Sequence, residues 1–107
     1  MTVGIDMEET KRFELTRTDT FVQKNFTHSE QEYCFSKTLP HIHLAGFFCA
    51  KEAYRKATQD MCDFLELSVV HLKSGKPVLH KRGAAIYGAI SISHTQKHAI
   101  AMCIETP

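Results

Sequence analysis

An α+β fold, one long helix packed against an antiparallel sheet, is predicted from three observations in this 107-residue chain. A strand-like segment opens the sequence. Residues 40–58 place apolar and charged side chains at helical spacing, with no glycine or proline after Gly46. Beyond residue 58 the apolar period changes from helical to alternating. At 12.2 kDa there is length for one core, so residues 1–107 are expected to form a single domain.

Taken in order, "TVGID" reads as a short strand ending on Asp6, and "DMEETKRFE" as the start of a helix in which Asp6 and Glu9 have capping-box spacing. "FTHSEQEYCFS" repeats that spacing with Thr27 and Glu30, predicting a second short helix. "TLPHIHLAGFFCAKEAYRKAT" is the longest helix, starting near Pro40. "FLELSVVHL", "KPVLHKR", "AISISHT" and "KHAIAMCIE" are strand-like, joined by turns at "KSGK" and "TQK". Together they predict an antiparallel meander in the carboxyl half.

A net charge of +1, without a basic run, argues against a nucleic-acid binder held by bulk electrostatics. The first residues lack the apolar core of a signal peptide, and no apolar run approaches the ~20 residues of a membrane span, so a cytoplasmic protein is expected. Cys34, Cys49, Cys62 and Cys103 are isolated in sequence and read as small core residues. In "HIH", His41 and His43 point in different directions before or on a helix, which disfavours a zinc site.

Glu52 stands out because it sits among apolar neighbours on the long helix. Phe48, Cys49 and Lys56 lie one turn away, so an intrahelical pair with Lys56 would explain it at little energetic consequence. Asp6, beside flexible Gly4, offers another explanation: two carboxylates from separate elements, with positions left for water and phosphate oxygens, are a usual way to hold magnesium. "SGKP" at 74–77 and "SISHT" at 91–95 add groups able to donate hydrogen bonds to phosphate.

The chain resembles the holo-acyl-carrier-protein synthases, the short group of 4′-phosphopantetheinyl transferases. "VGIDMEETKRF" is similar to the family's opening G-x-D segment, "HLAGFFCAKEAYRKA" to its F-A-A-K-E-A helix, "SGKP" to its G-K-P turn and "ISISHTQKHAIAMCI" to its final hairpin. The resemblance implies transfer of the phosphopantetheine arm of coenzyme A to a serine of an apo acyl carrier protein, releasing adenosine 3′,5′-bisphosphate. Asp6 and Glu52 would be Mg²⁺ ligands, and Asp6, Glu52 and Lys56 the catalytic set. Coenzyme A would meet Lys56, Gly75, Lys76, Pro77, Ser93, His94 and Thr95, and the carrier would meet Arg12, Phe48 and Tyr54. The serine proton would pass to a water on the metal or to Glu52. The family's fold implies a homotrimer with sites between subunits. Ile90, Ile92, Ile100 and Met102 agree with that, since one helix leaves little to cover both faces of a sheet.

Two positions depart from the family pattern. Phe47 stands where a basic residue usually follows A-G, and "ATQDMCDF" replaces a glycine-containing loop after Lys56. A phosphate once held from position 47 would be held less well unless Lys51 or Lys56 compensated, or Phe47 would face the core or an interface and touch no ligand. The alternative function is a catalytically impaired relative that trimerises and docks carrier domains. The carrier's pathway, fatty-acid, polyketide or peptide, is left open.

Overall fold

The computed structural model describes residues 1–106. β1 (Thr2–Glu9) runs past Asp6 rather than giving way to a helix there, and a 3₁₀ turn (Thr10–Phe13) follows it. Asp6 is therefore mid-strand, opposite Ala101, and not a helix cap. The physical reason is the alternation of Val3, Ile5 and Met7 with Gly4, Asp6 and Glu8, a strand period completed by pairing with the far end of the chain from Thr2↔Glu105 to Glu9↔His98.

Two short helices come next. α1 (Thr20–Asn25), which local spacing did not reveal, is capped by Asp19, whose carboxylate accepts from the Phe21 amide at 3.2 Å. α2 (His28–Phe35) carries the expected capping box: Thr27 Oγ1 accepts from the Glu30 amide, and Glu30 Oε1 accepts from the Thr27 amide.

α3 (Pro40–Thr58) has proline in its first turn, where no intrahelical donor is lost, and ends at Gln59 with φ 60°. β2 (Leu67–His71), β3 (Pro77–Lys81) and the short β4 (Ala84–Ala85) form one antiparallel sheet; β5 (Gly88–His94) and β6 (His98–Glu105) form another with β1, in the order β1-β6-β5. The carboxyl half is thus two sheets rather than one continuous meander. The chain turns at Arg82 and Gly83, both at positive φ, and re-enters at Gly88, where a Cβ would lie 2.2 Å from the Ile104 carbonyl oxygen.

α3 packs on the inner face of β1-β6-β5 and closes one core containing Phe13, Phe26, Leu44, Leu67 and Leu79. Each such side chain contributes roughly 1.5–3 kcal/mol on burial. β1 and α3 meet unusually closely, because a Cβ on Gly4 would fall 2.0 Å from the Ala53 carbonyl oxygen and 2.6 Å from the Ala57 amide. Gly4 and the alanines of α3 are thus a matched pair of small surfaces.

Lys51 is buried in the same core. Its ammonium donates to Glu30 Oε1 at 2.6 Å and to the carbonyls of Asn25 and Phe64, while Glu30 Oε2 accepts from the Val69 amide. Burial pulls the Lys51 amine below the ordinary lysine range, with Glu30 opposing that shift. Such a pair ties α2, α3 and β2 together, and losing one partner typically costs about 3–5 kcal/mol. Lys51 is accordingly no substitute for a phosphate-binding residue at position 47.

Ile90 and Ile92 face α3, the first buried and the second half-buried. The opposite face of the sheet is apolar and exposed: Val3, Ile5 and Met7 on β1 are 54–64% accessible and stand in register with Ile104, Met102 and Ile100 on β6. No helix among the described residues is long and apolar enough to cross a membrane.

Candidate functional site

β1 lays Gly4, Asp6 and Glu8 along α3, and the Gly4 contact brings the strand close enough for Asp6 to reach the last turns of the helix. Lys56 Nζ lies 3.2 Å from Asp6 Oδ1 and 3.0 Å from the Ile5 carbonyl oxygen. Asp6 Oδ2 is buried and has no partner. An orphaned carboxylate oxygen beside a half-satisfied partner is costly, and a cation, or a proton shared with Glu8, would relieve it.

Glu8, which the sequence did not single out, belongs to this cluster. Its carboxyl is pushed above the ordinary range by burial, and further by hydrogen bonding to Asp6 and by the Asp6 charge, while Arg12 pulls the other way. Arg12 makes an i,i+4 ion pair with Glu8. The missed signal was Glu8's place two residues after Asp6, hence on the same strand face. Nearby, burial and the charges of Asp6 and Glu8 push the Cys49 thiol up to about 12, so it is an inert core group.

Glu52 is half-buried, 3.8 Å from Arg55, and does not pair with Lys56, which reaches β1 instead. Cys49 and Lys56, each one turn from Glu52, both interact with Asp6, so helical spacing puts Glu52 at the edge of the same cluster. Among the described residues no group of three or more His, Cys, Asp or Glu converges as a ready metal cage. The donor set still fits magnesium, which usually takes one or two carboxylates and completes its shell with water and phosphate oxygens.

The other predicted residues lie elsewhere. His94 and Pro77 share a cleft with Tyr33, His43, Phe47 and His71, beside the first half of α3. From His43 to Lys56 is about 20 Å along the helix at roughly 1.5 Å per residue. The two groups are therefore not brought together within one chain. Lys76 and Gly75 sit in the exposed turn before β3, held by the Leu72 amide donating to the Lys76 carbonyl; Gly75 has φ 90°. Ser93 faces the outer apolar surface with Ile5, Ile100 and Met102. Thr95 Oγ1 accepts from the Lys97 and His98 amides and so closes the β5–β6 turn.

Of the carrier-contact candidates, Arg12 is exposed, with its guanidinium carbon 5.1 Å from the Phe13 ring centre and 5.5 Å from that of Phe48. Phe48 is half-buried against Phe13, Phe21 and Phe64. Tyr54 is a correction: it is only 7% accessible, its hydroxyl donates to Asp60 Oδ2, and it shows only an edge in a cleft with Lys81 and Tyr87, so it offers little surface to a partner. The segment after Lys56 is ordered by its own contacts, with Asp60 accepting from Lys81 and from the Cys62 amide, and Arg55 donating to the Cys62 carbonyl.

Phe47 is buried yet lines the cleft beside His94, with its ring centre 5.4 Å from Tyr33 and 5.7 Å from His71. Phe47 therefore faces the core and also edges the cleft. His41 and His43 diverge as expected, lining different clefts.

The family model described as the 4′-phosphopantetheinyl transferase superfamily matches residues 2–103. A holo-[acyl-carrier-protein] synthase of Chlorobaculum parvum is 33% identical over 100% of this chain and 99% of its own, and one of Caldanaerobacter subterraneus subsp. tengcongensis is 33% identical over 95% and 91%. Among solved structures, the holo-(acyl-carrier-protein) synthase of Bacillus anthracis in complex with CoA (3′,5′-ADP) matches with a TM-score of 0.78 and 30% identity, covering 95% of this chain and 92% of that one.

Proposed function

The chain belongs to the 4′-phosphopantetheinyl transferase superfamily, and from that premise we propose that it transfers the 4′-phosphopantetheine arm of coenzyme A to a serine of an apo acyl carrier protein, releasing adenosine 3′,5′-bisphosphate. The observation that carries this reading is the Asp6–Lys56 contact between β1 and α3, with the other Asp6 oxygen buried and unpaired beside Glu52's helical face. Mg²⁺ held by Asp6 and Glu52 would neutralise charge on the pyrophosphate.

Lys56 is exposed, so it can exchange its hold on Asp6 for a phosphate oxygen, placing a positive charge where negative charge gathers. The carrier serine attacks the β-phosphorus in line: a serine O–P bond forms, the bond from that phosphorus to the bridging oxygen breaks, the bridging oxygen leaves on adenosine 3′,5′-bisphosphate, and the serine proton leaves the nucleophile. Glu52, held only at 3.8 Å from Arg55, is the chain's own candidate to take that proton. No covalent enzyme intermediate is required, so positioning and electrostatics carry the rate.

The working unit is a homotrimer built through the exposed face of β1, β6 and β5. Its supports are the apolar surface of Val3, Ile5, Met7 and Met102 and the roughly 20 Å between Lys56 and His43 along α3. A neighbour would supply His94 and Pro77 to the Asp6 cluster, and Arg12 with Phe48 would meet the acidic carrier. Mass spectrometry of an apo carrier incubated with coenzyme A, Mg²⁺ and this protein tests the proposal. Addition of the phosphopantetheine mass supports it; an unmodified carrier from a panel covering the three pathways leaves the carrier-docking alternative instead.

A further inference from the structure

Four charged side chains run in a line from the 3₁₀ turn to the last turns of α3: Arg12, Glu8, Asp6 and Lys56. Arg12 pairs with Glu8, the Glu8 and Asp6 carboxyls lie within hydrogen-bonding reach of each other, and Asp6 Oδ1 accepts from Lys56 at 3.2 Å. The ends of the line are open and its middle is closed: the Arg12 and Lys56 side chains are 51% and 53% accessible, those of Glu8 and Asp6 15% and 10%. Two sheltered acids are thus held between two cations that another molecule can reach.

β1 puts Asp6 and Glu8 on one face, and the 3₁₀ turn brings Arg12 back over Glu8 four residues later. Among the described residues Arg12 is the only cation within ion-pair distance of Glu8. On its other side Glu8 meets a second acid, whose Oδ2 is buried and unpaired. The Arg12 guanidinium also lies over Phe13 and Phe48, at the edge of the aromatic surface assigned above to the carrier. It carries one charge, so whatever part of it a carrier carboxylate neutralises is lost to Glu8.

We infer that Glu8 couples carrier docking to the metal: an acidic group of the carrier that draws on Arg12 loosens the Arg12–Glu8 pair and leaves the Glu8 charge to a cation at Asp6, so that carrier and Mg²⁺ each tighten the other's binding. This rests on the transferase reading above, and it makes Glu8 a positioning residue. Before docking, the Arg12 charge balances Glu8 and opposes a divalent ion further along the line. After docking, that charge is balanced by the carrier. The coupling is reciprocal, because whatever factor the carrier adds to the Mg²⁺ affinity, Mg²⁺ must add to the carrier's.

The test is calorimetric titration of Mg²⁺, without coenzyme A, into the natural protein alone and into its complex with an apo acyl carrier, the carrier's own uptake of Mg²⁺ being measured separately. The Kd for Mg²⁺ is expected to fall about tenfold when the carrier is bound, within the range usual for coupled sites. Arg12→Gln imitates the docked state, so it should tighten Mg²⁺ by a similar factor with no carrier present. Glu8→Gln keeps a hydrogen-bonding side chain beside Asp6 but has no charge to release. In that background neither the carrier nor Arg12→Gln should change the Mg²⁺ affinity by more than about twofold, the scatter of independent sites. A carrier that binds without altering the Kd for Mg²⁺, or a tenfold tightening that survives in Glu8→Gln, overturns the coupling while the transferase reading stands. A protein that takes up Mg²⁺ but binds no carrier from the panel overturns that reading instead, and the Arg12→Gln comparison still decides the role of Glu8.

Discussion

Lys56 reaches across from α3 to β1 and donates to Asp6 Oδ1 at 3.2 Å, while Asp6 Oδ2 stays buried without a partner. The lysine satisfies one oxygen of a carboxylate whose other oxygen is buried and unpaired, and a cation at Asp6 would leave Lys56 free to turn to a phosphate.

If Asp6 and Glu52 hold magnesium, Asp6→Asn and Glu52→Gln should each lower kcat by about two orders of magnitude or more with saturating coenzyme A. The independent readout is thermal: Mg²⁺ should raise the melting temperature of the natural protein and leave that of Asp6→Asn unchanged. Near-normal turnover in either variant would remove the metal assignment.

Gly4 sets the distance between β1 and α3. Gly4→Ala adds a Cβ into the Ala53 carbonyl, so the strand must shift, at a cost of about 1–3 kcal/mol. Because Asp6 rides on the same strand face two residues away, kcat should fall with stability. A variant that melts and turns over like the natural protein would show that the close approach is not needed to place Asp6.

Arg12 is held over Phe13 and Phe48 and paired with Glu8, which presents its guanidinium at the edge of an aromatic surface. Arg12→Gln should raise the KM for an acidic carrier by roughly tenfold, with a smaller effect on the KM for coenzyme A, and the difference should shrink as salt is raised. Equal changes in both constants would move the docking surface away from the 3₁₀ turn after β1.

What the sequence revealed follows from what is local. The capping box of Thr27 and Glu30, the span of α3 and the turns at 72–76 and 95–98 are set by neighbours within a few residues, and they formed where expected. β1 was cut short at Asp6 because a capping spacing with Glu9 competed with a strand period, and the pairing with β6 that decides between them lies at the other end of the chain. Asp6, Glu52 and Lys56 were singled out through the resemblance, and the structure brings Asp6 and Lys56 into contact. Glu8 was not, since a second acid in an acidic segment looks like surface until the strand is extended. Tyr54 was named as a carrier contact through the resemblance, but its hydroxyl is tied to Asp60, which in turn meets Lys81 from a separate segment.

The last expectation concerns how many chains make one site. Asp6 and Lys56 lie about 20 Å along α3 from the cleft that holds His94, too far for one pyrophosphate to bridge within a chain. The exposed face of Ile5, Met7, Ile100 and Met102 gives copies a surface on which to join. Asp6→Asn and His94→Ala proteins should therefore each be nearly inactive alone, yet regain activity when unfolded together and refolded at equal amounts. In a cyclic assembly with random mixing, a site taking Asp6 from one chain and His94 from the next is intact about one time in four, so roughly a quarter of natural activity should return. Ile5→Lys, which puts a charge in the middle of the apolar face, should give a folded monomer by light scattering that lacks transfer activity. Refolded mixtures no more active than their components would place the whole site within one chain, and a fully active Ile5→Lys monomer would do the same.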